Sequence, residues 1–206
     1  IGVLVPAPNS TVEPEFWAMA PDQVAVFCSR MWGSYSGEDM SKRLRTMVEE
    51  IERAVKLLSW VPLDVIAFAC TSGSFLEGRE WNRILTNRIA ELANVQAVTT
   101  STAVIEALGC LKMKKVGIVT PYPDEINTSL STYLESEGFE VAKMGVVDPS
   151  LITLPTTAYH AAKNLGGVDL DGIFISCTNF RAVDILNILE RDLGKPVVSS
   201  NQALMW

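Results

Sequence analysis

The sequence is poor in the side chains on which metal sites and disulfide scaffolds depend. Its 206 residues include one histidine, His160, and four cysteines that are widely spaced and form no CxxC pair. These residues lack the spacing of a zinc site, and they do not form the dense cysteine framework of a small secreted domain. We therefore expect no metal, no disulfide scaffold and a location in the reducing cytoplasm.

Other signals are missing as well. Basic residues are outnumbered by acidic ones, 17 against 24, so no nucleic-acid partner is expected, because phosphate binding needs a basic patch. No run of ~18 consecutive apolar residues occurs, so we expect no membrane span. Neither GxGxxG nor GxxxxGKS/T is present, so no cofactor is implied. No signal peptide is visible, and because Ile1 opens directly in a strand pattern, we expect a few residues to precede it.

Short apolar runs alternate with longer amphipathic stretches along the chain. Hydrophobic residues make up 48%, which is enough for a substantial core. The runs are near-continuously apolar, which is typical of parallel strands covered on both faces. We predict an α/β fold with strands at 1–5, 24–28, 64–69, 95–99, 115–120, 139–145, 171–176 and 196–200, and with helices at 39–60, 79–93, 101–111, 124–137, 156–165 and 180–192.

The chain carries the same unit twice. The block IGVLVPAPNSTVEPEF resembles VGIVTPYPDEINTSL, PLDVIAFACTSGSF resembles GVDLDGIFISCTNF, and VQAVTTSTAVIEAL resembles GKPVVSSNQALMW. The offsets are 115 (117 minus 2), 107 (177 minus 70) and 100 (198 minus 98). We therefore predict two similar Rossmann-like (flavodoxin-like) parallel-sheet halves, 1–100 and 101–206, related by a pseudo-twofold axis. Residues 196–206 could pack with either half.

Two cysteines occupy matching places in the repeat. Cys70 and Cys177 each follow a predicted strand, and ligands bind at the carboxyl ends of the strands in open α/β sheets. The symmetry predicts that both thiols face one cleft between the halves. A helix N-terminus lowers a thiol pKa from about 8.5, and we expect this effect at both cysteines. A thiol and a thiolate on opposite faces of a carboxylate form an acid/base pair.

The residues around these cysteines suit a carboxylate ligand. Hydroxyl, amide and backbone N–H groups follow the cysteines at Thr71, Ser72, Thr178 and Asn179. Asn9 and Tyr122 follow the matching strands that open each half, and we expect them to line the same cleft. Simpler roles are expected elsewhere: Cys28 and Cys110 as small buried apolar residues, and Glu13 and Glu15 as structural acids near a helix start.

The repeated blocks resemble the Asp/Glu racemase superfamily, in particular its maleate cis-trans isomerase and arylmalonate decarboxylase branch. The resemblance rests on VPAPNSTVEPE, ACTSGSF, STAVIEAL, TPYPDEIN, SCTNF and VVSSNQALMW, and covers nearly the whole chain. It implies a two-half α/β fold with the active site between the halves, no cofactor, a small carboxylate substrate and a homo-oligomer. By position, it implies two catalytic cysteines, Cys70 and Cys177, and substrate contacts from Asn9, Thr71, Ser72, Tyr122, Thr178 and Asn179.

The resemblance also separates candidate reactions. Arylmalonate decarboxylases carry glycine where this chain has Cys70. The presence of both cysteines therefore favours a cofactor-independent cis-trans isomerase of a maleate-like dicarboxylate. An arylmalonate decarboxylase and an amino-acid or hydantoin racemase are the alternatives within the superfamily. Thr71-Ser72 and Asn179-Phe180 depart from the racemase pattern, which has Asn-Thr after the first cysteine and, in glutamate racemases, histidine after the second. A non-catalytic small-molecule binding protein is the alternative outside it.

Overall fold

The described chain folds into two parallel sheets with the same strand order. The structure is a computed structural model that describes residues 1–32, 50–165 and 169–206. The first sheet has the order β2-β1-β3-β4, with β1 (Gly2–Pro6), β2 (Phe27–Met31), β3 (Val65–Phe68) and β4 (Gln96–Thr99). The second has the order β6-β5-β7-β8, with β5 (Lys115–Thr120), β6 (Glu140–Val146), β7 (Gly172–Ile175) and β8 (Val197–Ser199). The predicted α/β fold in two similar halves is confirmed.

Helices connect the strands and cover the sheets. They are α1 (Val12–Met19), α2 (Ile51–Leu58), α3 (Thr71–Phe75), α4 (Gly78–Ala93), α5 (Thr100–Cys110), α6 (Asp124–Ser136), α7 (Pro155–Lys163), α8 (Leu186–Leu193) and α9 (Ser200–Met205). Short 3-10 turns span Pro149–Leu151 and Val183–Ile185. Across residues 1–32, 50–165 and 169–206, none of the helices has the length and apolarity that crossing a bilayer requires.

Two predicted elements begin three or more residues away from the observed ones. The strand predicted at 24–28 forms at Phe27–Met31, where it pairs in register with β1 from Gly2 to Pro6. The helix predicted at 180–192 begins only at Leu186, because residues 178–180 form a turn and an irregular stretch then leads into the 3-10 segment. Of the helix predicted at 39–60, the structure shows α2, and residues 39–49 lie outside the described part of the chain.

The apolar residues of the strands are divided between two faces. Leu4, Ile66 and Phe68 pack on the outer side of the first sheet, under α2 and α4, whereas their neighbours Val3, Val5 and Ala67 turn to the opposite side. In the second sheet, Ile173 and Ile175 face outward and Phe174 faces inward. The inward residues of both sheets belong to a single apolar cluster, so the halves share one core.

The C-terminal stretch contacts both halves. Its strand β8 pairs with β7 in the second sheet, with Val197 opposite Ile173. Its helix α9 packs against α1 from the first half and against α5, which follows the first sheet. The strand and the helix of residues 196–206 therefore contact different partners, and the division of the chain into 1–100 and 101–206 stays a prediction.

The close packing at Gly172 generates a stability prediction. A Cβ at this position would lie 2.5 Å from Met113 Cε and 2.6 Å from the Pro196 carbonyl oxygen. The methionine tip can move, but the carbonyl is held by the Ile173 N–H at 3.0 Å. We expect Gly172→Ala to lower the free energy of unfolding by about 1–3 kcal/mol, measured by urea denaturation.

Gly109→Ala is the matched control. Gly109 lies in α5, and apart from its chain neighbours and the backbone of its own helix, no atom of the described residues lies within 4 Å of the position that its Cβ would take. Because alanine is the better helix former, this change should raise stability by about 0.5–1 kcal/mol. A Gly172→Ala protein as stable as the unmodified chain would contradict the packing described here.

Candidate active site

The two cysteines lie at the ends of matching strands but begin different local structures. Cys70 follows β3, is the N-cap of α3 and is 7% exposed. Cys177 follows β7 and is partly buried, and the chain after it turns without starting a helix. The expectation of a helix start is therefore met at Cys70 and wrong at Cys177.

Thr178 connects the segment that carries Cys177, which we call the second cysteine segment, to the first half. Its hydroxyl donates to the carbonyl oxygen of Ala69, the residue before Cys70, at 3.0 Å. The same hydroxyl accepts a hydrogen bond from Asn9 Nδ2 at 3.1 Å. Because Asn9 Oδ1 accepts from two backbone N–H groups at the start of α1, the orientation of its amide is fixed with the nitrogen toward Thr178.

A second bridge runs through Ser200 at the start of α9. Its Oγ accepts a hydrogen bond from Thr71 Oγ1 at 3.0 Å and one from the backbone N–H of Cys177 at 3.1 Å. Ser200 is fully buried, so both hydrogen bonds are shielded from water. The residues flanking Cys70 are thus joined to those at Cys177, although the cysteines are 107 positions apart (177 minus 70).

Tyr122 lies beside both cysteines. It is 7% exposed, and its ring packs edge-on against Phe75 of α3 at a centroid distance of 6.3 Å. Burial raises the pKa of its hydroxyl well above the ordinary value, and negative charge on Cys177 or Cys70 raises it further. Tyr122 therefore remains a neutral hydrogen-bond donor next to the thiols.

Asn179 contacts the loop that carries Asn9. Its Oδ1 accepts from the Ser10 N–H at 2.9 Å, and its carbonyl accepts from Thr11 Oγ1 at 3.0 Å. The structure thus brings the eight predicted site residues into one region, which we call the cysteine junction: Asn9, Cys70, Thr71, Ser72, Tyr122, Cys177, Thr178 and Asn179. Whether these residues act on a substrate remains a prediction.

Burial dominates the ionisation of Cys70. Removal from water raises the pKa of its thiol to about 12, although the Gly73 N–H and the Ser72 hydroxyl, 3.9 Å from the sulfur, both favour the thiolate. A charge on Cys177 raises the pKa of Cys70 further. The lowered pKa expected from the helix N-terminus is therefore wrong, because desolvation outweighs the N–H groups at the start of α3.

Cys177 follows the same electrostatic pattern. Burial raises the pKa of its thiol, and the N–H groups of Asn179 and Phe180 and the hydroxyl of Tyr122 oppose that rise. Both sulfurs are consequently thiols near neutral pH. Because a charge on one disfavours a charge on the other, the junction accommodates one thiolate and one thiol more readily than two thiolates.

The backbone at Cys177 is strained. Its φ of 109° lies in a region that residues other than glycine rarely adopt, whereas Cys70 has an extended φ of −143°. Such a conformation costs of order 1–3 kcal/mol and persists only where the surroundings hold it. In this conformation the Cys177 N–H donates to Ser200, so the strained residue itself makes one of the hydrogen bonds that join the two cysteine segments.

Several residues of this region were not anticipated as site residues. Ser200 and Asn201 lie directly after β8, and the rule that ligands bind at the carboxyl ends of strands could have indicated them. Arg30 donates to the carbonyl oxygens of Ala7 and Asn9 at 2.7 and 2.9 Å, so it supports the loop that carries Asn9. No pattern in the sequence pairs Arg30 with those carbonyl groups.

The remaining cysteines do not match their expected burial. Cys110 is exposed at the last position of α5, and Cys28 is partly buried on the edge strand β2. The interpretation as a small buried apolar residue is wrong for Cys110, because the end of α5 meets solvent there. Cys28 is only partly buried, but it packs against the central apolar cluster. Within the described part of the chain, no three histidine, cysteine or acidic side chains converge as a metal site would require.

Comparisons with known proteins extend over the whole chain. The sequence model for arylmalonate decarboxylase matches residues 1–206. Arylmalonate decarboxylase of Bordetella bronchiseptica is 30% identical, with 100% of this chain and 87% of that protein covered. Maleate isomerase of Pseudomonas putida is 28% identical, with 97% and 86% covered. The crystal structure of a maleate isomerase from Pseudomonas putida S16 with maleate has a TM-score of 0.84 at 25% identity, covering 100% of this chain and 88% of that one.

The strained backbone predicts an unusual order of stability. Both Cys177→Ala and Cys177→Gly remove the thiol, but only glycine adopts the φ of 109° without strain. We expect Cys177→Gly to be more stable than Cys177→Ala by about 1 kcal/mol, measured by urea denaturation.

The same pair of substitutions at Cys70 provides the control. Its extended backbone suits alanine, so Cys70→Ala should be more stable than Cys70→Gly by about 1 kcal/mol. An identical order at the two cysteines would contradict strain at Cys177.

The raised pKa of Cys70 predicts its reactivity and a pH effect on stability. In a Cys28→Ser/Cys110→Ser/Cys177→Ser protein, alkylation by iodoacetamide should rise about tenfold per pH unit and continue beyond pH 9.0, the ordinary thiol value. Because the folded pKa lies above the unfolded one, the thiol stabilises the fold fully below pH 9.0, and this contribution is lost as the pH rises toward about 12. Mass spectrometry follows the alkylation, and a plateau near pH 9.0 would rule out the raised pKa.

Proposed function

The chain belongs to the arylmalonate decarboxylase family, and we propose that it is a cofactor-independent cis-trans isomerase of a small dicarboxylate such as maleate. The family contains enzymes named as arylmalonate decarboxylase and maleate isomerase. The observation that carries the proposal is the pairing of Cys70 with Cys177 across the two halves. A reaction that adds a nucleophile to one alkene carbon and a proton to the next needs two such groups.

In the proposed first step, Cys70 gives up its proton to water, and its thiolate adds to one alkene carbon. A carbon–sulfur bond forms, the carbon–carbon π bond breaks, and the electron pair moves into the neighbouring carboxylate as an enolate-like charge. Cys177 then donates its proton to the adjacent carbon. The product of this step is a thioether of Cys70 in which the former double bond is a single bond.

The second half of the proposed reaction reverses the first. The carbon–carbon single bond rotates, the Cys177 thiolate removes a proton from the same carbon, and the carbon–sulfur bond breaks to leave a trans double bond. Cys70 returns as a thiolate and Cys177 as a thiol, so no redox partner is consumed. This sequence matches a junction that favours one thiolate at a time.

The polar residues of the cysteine junction are proposed to hold the two carboxylates. Thr71 and Ser72 lie at the start of α3, where backbone N–H groups and hydroxyls favour an anion, together with neutral Tyr122. Near Cys177, Asn9 from the first half and Thr178 and Asn179 from the second half supply amide and hydroxyl groups. Placing the substrate between the halves 1–100 and 101–206 lets each cysteine approach it from its own side.

A second candidate is decarboxylation of an arylmalonate. The 30% identity with arylmalonate decarboxylase of Bordetella bronchiseptica supports it. In that reaction Cys177 alone would protonate the carbanion left by carbon dioxide, and Cys70 would have no chemical role. The two candidates therefore differ in their dependence on Cys70.

Turnover of maleate to fumarate without added metal tests the proposal. We expect Cys70→Ala and Cys177→Ala each to lower kcat by about 10²–10⁴-fold, because each removes a group that acts on a reacting carbon. Cys110→Ala is the control, since Cys110 is exposed at the end of α5, outside the cysteine junction, and its loss should leave kcat unchanged. Fumarate formation is followed by proton NMR.

The same variants are assayed for carbon dioxide release from phenylmalonate. Release that survives Cys70→Ala and is lost in Cys177→Ala, with no turnover of maleate, would establish the second candidate instead. Full maleate turnover in either cysteine variant would overturn the two-cysteine mechanism.

A further inference from the structure

A buried carboxylate that the proposed chemistry does not use joins the two halves. Glu15 of α1 is 6% exposed. Its Oε1 accepts hydrogen bonds from the backbone N–H groups of Ala182 and Val183 at 2.7 and 2.9 Å, and its Oε2 accepts one from Asn201 Nδ2 at 2.6 Å. All three donors belong to the second half, so Glu15 does more than support its own helix.

The hydrogen bonds continue from Glu15 to the second cysteine segment. Asn201 Nδ2 also donates to the carbonyl oxygen of Thr178 at 2.9 Å, so both of its amide hydrogens are used. Glu15 thereby holds the segment after Cys177 at two points. It accepts directly from Ala182 and Val183 at the far end, and through Asn201 it holds the Thr178 carbonyl at the near end. These bonds are charge-assisted at the carboxylate and lie in a buried environment.

Among the described residues, the positions that match Glu15 and Asn201 in the repeat do not hold a carboxylate–amide pair of this kind beside Cys70. By the repeat offsets, Glu15 corresponds to Leu130 (15 plus 115) and Asn201 to Ser101 (201 minus 100). Leu130 is a buried apolar residue, and the hydroxyl of Ser101 pairs with that of Ser74 at 2.6 Å. The carboxylate–amide pair therefore serves only the second cysteine, and this is also the cysteine with the strained backbone.

The turn that Glu15 holds also supplies the groups that favour ionisation of Cys177. The N–H groups of Asn179 and Phe180 stabilise the Cys177 thiolate, and both lie between the two points at which the turn is fixed. If the turn relaxes, these N–H groups move away from the sulfur. The proton affinity of the thiol then rises.

We propose that Glu15 is a positioning residue, which acts through Asn201 to hold the turn after Cys177 in the strained conformation that presents the second thiol. This inference rests on the proposed function only for the use it gives to Cys177 as a proton donor. Glu15 accepts hydrogen bonds from the turn and from Asn201, and it acts on the thiol through them.

Glu15→Gln tests the proposal. The glutamine oxygen can still accept from Ala182 and Val183, but its amide nitrogen faces Asn201 Nδ2, so two donors oppose each other. Asn201 must then turn its amide, and the Thr178 carbonyl loses its donor. In a Cys28→Ser/Cys70→Ser/Cys110→Ser protein, we expect alkylation of Cys177 by iodoacetamide at pH 8 to slow about tenfold and the pH profile to move to higher pH.

Two further variants separate positioning from general stability. Glu106→Gln removes the same charge from an exposed position on α5 and should leave the profile unchanged. In the Glu15→Gln/Asn201→Asp double variant, the bond between the two residues is restored in the reverse direction, because the glutamine amide donates to the aspartate carboxylate. The carboxylate has no hydrogen for the Thr178 carbonyl. We expect this protein to regain thermal stability while alkylation of Cys177 remains slow.

The outcomes are distinct from those of the turnover assay, because alkylation needs no substrate. An unchanged or faster alkylation of Cys177 in Glu15→Gln would overturn the proposal, whatever the turnover of maleate. If Glu15→Gln does not fold, the same measurement on Asn201→Ala decides, since this variant keeps the bonds from Glu15 to the 3-10 turn. A chain that fails to turn over maleate but shows the slowed alkylation supports the positioning role and refutes only the proposed function.

Discussion

The hydrogen bonds that join the end of β3 to the end of β7 hold the cysteine junction together. Thr178 reaches the carbonyl before Cys70, and Ser200 bridges Thr71 and the Cys177 N–H. Each bond crosses between segments more than a hundred positions apart or passes through a helix that contacts both halves. The proximity of the two cysteine-bearing segments is therefore a property of the whole two-sheet packing, because neither half contains both of them.

Burial determines how the cysteine junction ionises, and it makes the thiolates harder to form. A desolvated thiol holds its proton strongly, and the pKa of Cys70 is raised to about 12 despite its place at the start of α3. The same desolvation strengthens every hydrogen bond that a charged intermediate would receive there. Charge on one sulfur disfavours charge on the other, which suits a pair in which one member acts as nucleophile while the other carries the proton.

The repeat in the sequence is sufficient to predict the two sheets and the closeness of the segments that carry Cys70 and Cys177, because matching strands end at matching places. That both thiols face one cleft stays a prediction. The ionisation of these cysteines was predicted in the wrong direction, since the position of a residue on a helix says nothing about how much water is removed around it. The turn after Cys177 was missed for a similar reason. SCTNF and ACTSGSF share Cys-Thr, but the turn after Cys177 ends at hydrogen bonds to Glu15, which lies more than 160 positions away and is invisible to a local pattern.

A duplicated fold brings together two equivalent residues, yet an acid/base pair needs them to differ. In this chain the difference does not come from the cysteines or from the threonines that follow them, which are the same in both halves. It comes from the pair Glu15 and Asn201, which is bonded to the turn after Cys177, and from Leu130 and Ser101, which occupy the matching positions in the repeat. A carboxylate can hold backbone N–H groups in a conformation that leucine cannot, so Cys177 adopts a φ of 109° while Cys70 remains extended. The division of roles proposed for the two sulfurs would then depend on residues that act on Cys177 through the turn that follows it.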